Sequence, residues 1–367
     1  MRCTVRKGML MAILCMLLLL PVHGTDLEEQ SKKLGLSEVE QALPQEAGEL
    51  MGDRDVTDSG GLGEGVRKII VAAAEKSHGA VKNGMALCGQ VLAIVLLSAV
   101  LRGVGGTQPE MAMRLAGVLA IGVVCLGRIS SFFTQAVQTV DSMTTFSGFL
   151  FSALAAATAA TGAVGTSTAL YGVTVLILGV MAKVVQAIFI PGISCYMALS
   201  VADGALGDGS LKPAGDALKQ LLSSALKFSV LIFTAYMSLS GVISGSADSS
   251  AVRAAKLAIT TAVPVVGSMI ADASETLLVS AGLLRSGVGV FGLLGVLAVS
   301  IGPFLETGLQ YLMLKFSAAA AALVGEKELS GLIGALAAAL GLLTAVTGVC
   351  TVILMIGCVC FMKAAAP

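Results

Sequence analysis

Apolar residues along this chain fall into a succession of long runs. A helix needs ~20 such residues, at 1.5 Å of rise each, to cross ~30 Å of hydrocarbon. The clearest runs occupy residues 84–101, 111–127, 170–190, 220–243 and 286–305, with a further span inside 331–361. Residues 148–165 are dominated by Ala, Thr and Gly. Such a helix suits a place among neighbouring helices, where small residues let backbones approach. With it, the pattern predicts seven transmembrane helices. Residues 257–284 are interrupted by Pro264, Gly267, Asp272 and Glu275, which predicts a broken or re-entrant element lined by protein or water.

Ahead of the spans the pattern changes three times. Residues 1–24 set Arg2, Arg6 and Lys7 before an uncharged run from Gly8 to Leu20, then Pro21 and Val22-His23-Gly24. This is the layout of a secretory signal peptide, so the segment after it is expected to be translocated. Residues 25–65 hold eleven acids against Lys32, Lys33 and Arg54. Having little apolar surface to offset the entropy of ordering, they read as a flexible, acidic, extracytoplasmic arm, with one short helical turn capped by Ser37 and Glu40 before Pro44. In residues 66–83, Val66, Ile69, Ile70, Ala73, Ala74 and Val81 recur at helical spacing, opposite Arg67, Lys68, Glu75, Lys76 and Lys82. That is an amphipathic helix, resting in the headgroup layer or packed on other extramembrane parts. Residues 84–363 then form the multispan domain.

Composition narrows the function. The chain has 367 residues, 56% hydrophobic and 13% charged, with a mean hydropathy of +0.92, so the expected class is an all-α polytopic membrane protein. Twenty-three bases against 23 acids leave no net charge and no nucleic-acid footprint. Two histidines exclude a multi-His metal site. Gly287-Val288-Gly289-Val290-Phe291-Gly292 matches GxGxxG only as a string, since it lies in a membrane run with no strand before it. Neither a GK[ST] nor an HExxH motif occurs. Gly207-Asp208-Gly209 has Asp203-Gly204 upstream and resembles the Gly-Asp element of intramembrane proteases, but no Tyr-Asp pair accompanies it; tight turns are expected there. The reading is a non-enzyme without cofactor.

Orientation follows from basic residues, which favour the cytoplasmic side. With the acidic arm outside, seven spans put Arg102 and Arg114, Arg253 and Lys256, and the C-terminal Lys363 in the cytoplasm. Arg67, Lys68, Lys76 and Lys82 fall outside, against the rule.

Charges inside apolar segments mark candidate sites, because one at the bilayer centre costs ~2.5–3.5 kcal/mol on insertion scales. Lys183, with Gln186 three residues on, either lines a polar pathway or snorkels to the interface. Asp272 and Glu275 share a helical face and form either a proton- or cation-handling pair or, as the first reading, a capping box with Asp272 as N-cap. Glu306, just after Pro303, faces a pore or sits solvated at a span end. Asp141-Ser142-Met143-Thr144-Thr145 reads as a polar turn between spans. Small residues Gly331, Gly334, Ala338, Gly341, Ala345 and Gly348 repeat at spacings of three and four, a face for close helix packing in lipid. Were the chain a stand-alone secondary transporter instead, the break at Pro264 and Gly267 would mark its substrate site.

The stretch Arg253-Ala254-Ala255-Lys256, then Val263-Pro264-Val265-Val266-Gly267-Ser268-Met269 and Asp272-Ala273-Ser274-Glu275-Thr276, resembles the signature region of the stage III sporulation protein AE family of endospore-forming bacteria. Asp141 to Thr145 is similar to a second, shorter element of it. The resemblance implies a polytopic subunit of a channel or secretion-like complex in the mother-cell membrane around the forespore. Its implied partners are the other stage III sporulation A-operon membrane proteins and, across the intermembrane space, stage II sporulation protein Q. No catalytic residue is carried over.

Overall fold

A computed structural model describes residues 36–52, 62–104, 110–160, 164–236 and 267–363, and every regular element among them is a helix. Three short helices come first: α1 (Leu36–Gln41), α2 (Gln45–Met51) and α3 (Leu62–Lys76). Next are α4 (His78–Val104), α5 (Glu110–Ala160) and α6 (Val164–Val184). A π-helical turn, Val185–Phe189, joins α6 to α7 (Ile190–Leu206). Then come α8 (Lys212–Tyr236), α9 (Gly267–Leu323) and α10 (Lys327–Lys363). The signal layout, Arg253, Lys256 and Pro264 lie outside the described residues.

Six stretches among the described residues are long and apolar enough to cross a membrane: His78–Leu101, Met111–Ala160, Ser167–Leu206, Lys212–Tyr236, Ser286–Leu323 and Lys327–Lys363. The protein is a polytopic all-α membrane protein. The count differs from seven because residues 111–127 and 148–165 do not form separate spans; up to Ala160 they share the 51-residue α5. Between them the expected polar turn at Asp141 is helical. Ala136, Val140, Met143, Phe146 and Leu150 are buried at spacings of three and four, so this segment presents an apolar face to the core. The hydroxyls of Thr139, Thr144 and Ser147 donate back to the carbonyls of Gln135, Val140 and Thr144, so the polar side chains satisfy themselves without breaking the helix.

Contacts between named residues give the topology. Phe146 and Leu150 of α5 fill the space beside Gly295 and Gly292 of α9, so these helices run antiparallel. Helices α9 and α10 form an antiparallel hairpin through Val324 to Glu326, with Tyr311 against Gly341 and Phe304 against Gly348. The small residues of α10 thus provide the surface onto which the aromatic side chains of α9 settle. Gly122 and Gly204 bring α5 and α7 together, against Val201 and Val118.

Within the acidic segment, the described residues 36–52 form the two short helices α1 and α2. Val39, Ala47, Leu50 and Met51 are buried, and Lys76 of α3 pairs with Glu49 of α2 at 2.6 Å. The amphipathic helix occupies Leu62–Lys76 and ends at Ser77. Its Ile69 and Ala73 are buried in the shared core, while Ile70 and Val71 stay exposed, so protein covers only part of its apolar face.

Candidate functional site

Among the described residues, polar groups gather in three places. The first is a seam along α9 against α4, α5 and α10. Gln135 Nε2 donates to Glu306 Oε2 at 2.6 Å, linking α5 to α9 by a charge-assisted bond. At the next residue, the hydroxyls of Thr307 and Thr344 lie 3.1 Å apart, and Thr307 Oγ1 donates to the Pro303 carbonyl. Next, buried Gln310 donates through Nε2 to the Ala80 carbonyl at 3.4 Å. Its Oε1 has no hydrogen-bond partner among the described residues. Ser317 Oγ then lies 3.0 Å from Cys88 Sγ. Glu306, Thr307, Gln310 and Ser317 therefore mark one side of α9 across three turns of helix, where Pro303 removes one backbone N–H.

The second place is the end of the bundle where the start of α5, the end of α7 and the start of α10 meet. Arg114 Nη2 donates to the Leu206 carbonyl at 2.7 Å, and Nη1 stands 3.6 Å from Glu328. One guanidinium so holds the start of α5, the end of α7 and the start of α10. It lies where a side chain at Gly207 would project. Gly207 adopts φ 71° to close α7 in the left-handed conformation, so both its backbone angle and its missing Cβ are used. Asp203 Oδ1 accepts from the N–H groups of Leu211 and Lys212 at 3.0 and 3.1 Å, covering orphan donors at the start of α8. Asp208 accepts from Ser210 N at 3.0 Å. That bond, helped by the Ser210 hydroxyl and Arg114, holds its carboxyl below the usual range. The two Gly-Asp elements are thus a helix cap and a turn.

The third is on the outer surface. Lys183 is exposed. Gln186, in the π-turn, donates through Nε2 to Asp141 Oδ1 at 2.8 Å. The structure therefore separates the sequence candidates: Glu306 is half-buried in the seam, whereas Lys183 points outward from α6. Asp272 and Glu275 lie in the N-terminal part of α9, whose side chains fall outside the described residues. Their backbone answers one question. The helix begins at Gly267, so Asp272 is inside it rather than at its N-cap, and the capping-box reading is corrected. Gln135, Thr307 and Gln310 escape the sequence reading because an uncharged polar residue in an apolar run gives little signal. Arg114 shows there only as a topogenic charge.

A family model described as Stage III sporulation protein AE matches residues 54–365, well over half of the chain. The chain belongs to the stage III sporulation protein AE family. One relative, Stage III sporulation protein AE of Bacillus subtilis (strain 168), is 22% identical over 233 residues, 62% of this chain and 58% of the relative. The chain thus spans less than two thirds of that relative's length. No solved structure matches this chain.

Proposed function

We propose that this sporulation-family membrane protein is a non-enzymatic subunit of a channel or secretion-like complex between mother cell and forespore. The observation that carries the reading is the family match over residues 54–365, in a chain with six stretches long and apolar enough to cross a membrane. It sits in the mother-cell membrane around the forespore. It assembles there with the other stage III sporulation A-operon membrane proteins and, across the intermembrane space, with stage II sporulation protein Q. Its signal peptide directs residues 25–65 and α1–α3 to the extracytoplasmic side. The seam around Glu306 is a polar route or an assembly contact within the bundle, and Asp272 and Glu275 extend the same helix toward its N-terminus.

Counting only the six stretches among the described residues, the orientation expected from seven changes. An even number returns the C-terminus to the side of the arm, so Lys363 is extracytoplasmic in this proposal. The turns after α4, α7 and α9 then face the cytoplasm together. The helix ends beside them carry Arg102, Arg114, Lys212 and Lys327, whereas Arg253, Lys256 and Lys363 join Arg67, Lys68, Lys76 and Lys82 outside, so the positive-inside tendency does not favour this orientation.

The test is purification of the tagged chain from sporulating cells in mild detergent. Recovery of the other A-operon membrane proteins and stage II sporulation protein Q is expected. Recovery of the chain alone, at normal abundance, contradicts the subunit reading.

A further inference from the structure

The outward polar cluster on α5 and α6 belongs neither to the seam nor to the helix ends that Arg114 joins. On α6 the exposed positions Leu176, Val180 and Lys183 succeed one another at spacings of four and three, so one apolar stripe ends in a cation. Lys183 has no ion-pair or hydrogen-bond partner among the described residues. Beside it, α5 presents exposed Asp141 and Phe149, two turns apart. Asp141 is held by Gln186 through Oδ1. A charge of each sign therefore sits on one largely apolar outer face of the same helix pair, yet the two do not pair with each other.

The backbone gives the face a second peculiarity. Ile190 N–H donates to the Val185 carbonyl, five residues back. The widened turn precedes Pro191, which has no N–H to give to the Ala187 carbonyl. Single π-turns of this kind cluster at functional positions, and this one carries Gln186.

We infer that this face is a two-fold interface between two copies of the chain, in which Lys183 of each copy meets Asp141 of the other. The charges decide the occupant. A surface bearing one cation and one anion is complementary to itself, and an isologous contact satisfies both charges twice. The heights agree as well. Copies inserted in one orientation are related by an axis along the membrane normal, which leaves each residue's depth unchanged. Helices α5 and α6 are antiparallel, with Asp141 level with Gln186. Lys183 is therefore displaced from Asp141 by three residues, or about 4.5 Å along the bundle, which a four-carbon side chain covers. Leu176, Val180 and Phe149 supply apolar contact around the charges.

Two differently tagged copies are co-expressed, solubilised in mild detergent, and one is captured while the other is quantified, with membrane abundance measured alongside. Wild-type copies are expected to co-purify. Lys183→Asp paired with itself, or Asp141→Lys paired with itself, places like charges in contact and lowers recovery about tenfold or more, the scale seen when an interfacial charge loses its partner. A Lys183→Asp copy mixed with an Asp141→Lys copy regains recovery, because each contact then holds opposite charges. A role within one chain cannot be repaired by mixing two defective chains, and neither can snorkelling to lipid. Three results overturn the inference: no co-purification of wild-type copies, undiminished recovery of the single variants, or no regain in the mixed pair at normal abundance. Where a swap lowers abundance, Lys183→Met and Asp141→Asn serve instead, and recovery equal to wild type counts equally against the interface.

Discussion

Arg114 shows how much one side chain determines in a bundle of long helices. Its guanidinium is 18% exposed and reaches both the last carbonyl of α7 and the first turn of α10. The Glu328 contact is long and partly solvated, so little is attributed to it. The bond to Leu206 is charge-assisted and closes a helix end. Arg114→Met is expected to lower stability by about 1–3 kcal/mol, the range for losing a hydrogen bond to a charged group, read as a lower thermal unfolding midpoint in detergent. An unchanged midpoint means the ends of α5, α7 and α10 hold together without it. The sequence marks Arg114 as a basic residue near a loop, but not its partners, because those lie 92 residues away in α7 and further still in α10.

At the scale of elements, small residues and continuous helices decide the packing. A Cβ on Gly295 would stand 2.5 Å from Phe146, whereas nothing lies within 4 Å of one on Gly302. Gly295→Ala is therefore expected to cost about 1–3 kcal/mol through overpacking. Gly302→Ala should be neutral, or stabilising by up to about 1 kcal/mol through the unfolded chain. Equal melting points for the two variants would falsify the close α5–α9 approach. Helix α5 offers a direct measurement. Leu119 and Phe149 are both exposed, and a continuous helix separates them by about 45 Å. A hairpin at Asp141 to Thr145 would bring them within about 30 Å. Spin labels at these two positions in a cysteine-free background are expected to report the longer distance by pulsed electron resonance. The repeat of Val140, Met143 and Phe146 carried the signal for a helix here, and the polar residues between them obscured it.

At the scale of the whole molecule, helix length constrains how the bundle sits in lipid. Fifty-one residues of α5 extend about 75 Å, over twice the hydrocarbon thickness, and no ordinary tilt absorbs the difference. Part of α5 therefore projects beyond the hydrocarbon, beside the neighbours that cover it. The proposed orientation is tested in cysteine-free variants expressed in the plasma membrane of non-sporulating cells, where a membrane-impermeant thiol reagent added to intact cells reaches the extracytoplasmic face. A cysteine at Ser210, in the α7–α8 turn, should stay unlabelled, and one at Lys363 should react. The reverse pattern inverts the protein in the membrane. Labelling of neither or both would mean that the crossing number is odd or that one segment does not cross.

Hydropathy along the chain by itself determined that this is a helical membrane protein, because burying backbone in lipid leaves helices as the solution for such long apolar runs. It also located most of the apolar segments, and local motifs pointed to the family. Tertiary structure alone decided which segments fuse into one helix, which polar residues face each other and which face outward. Those outcomes depend on contacts between residues far apart in the chain, such as Gln135 with Glu306 and Asp141 with Gln186, and no local pattern encodes a distance across the bundle.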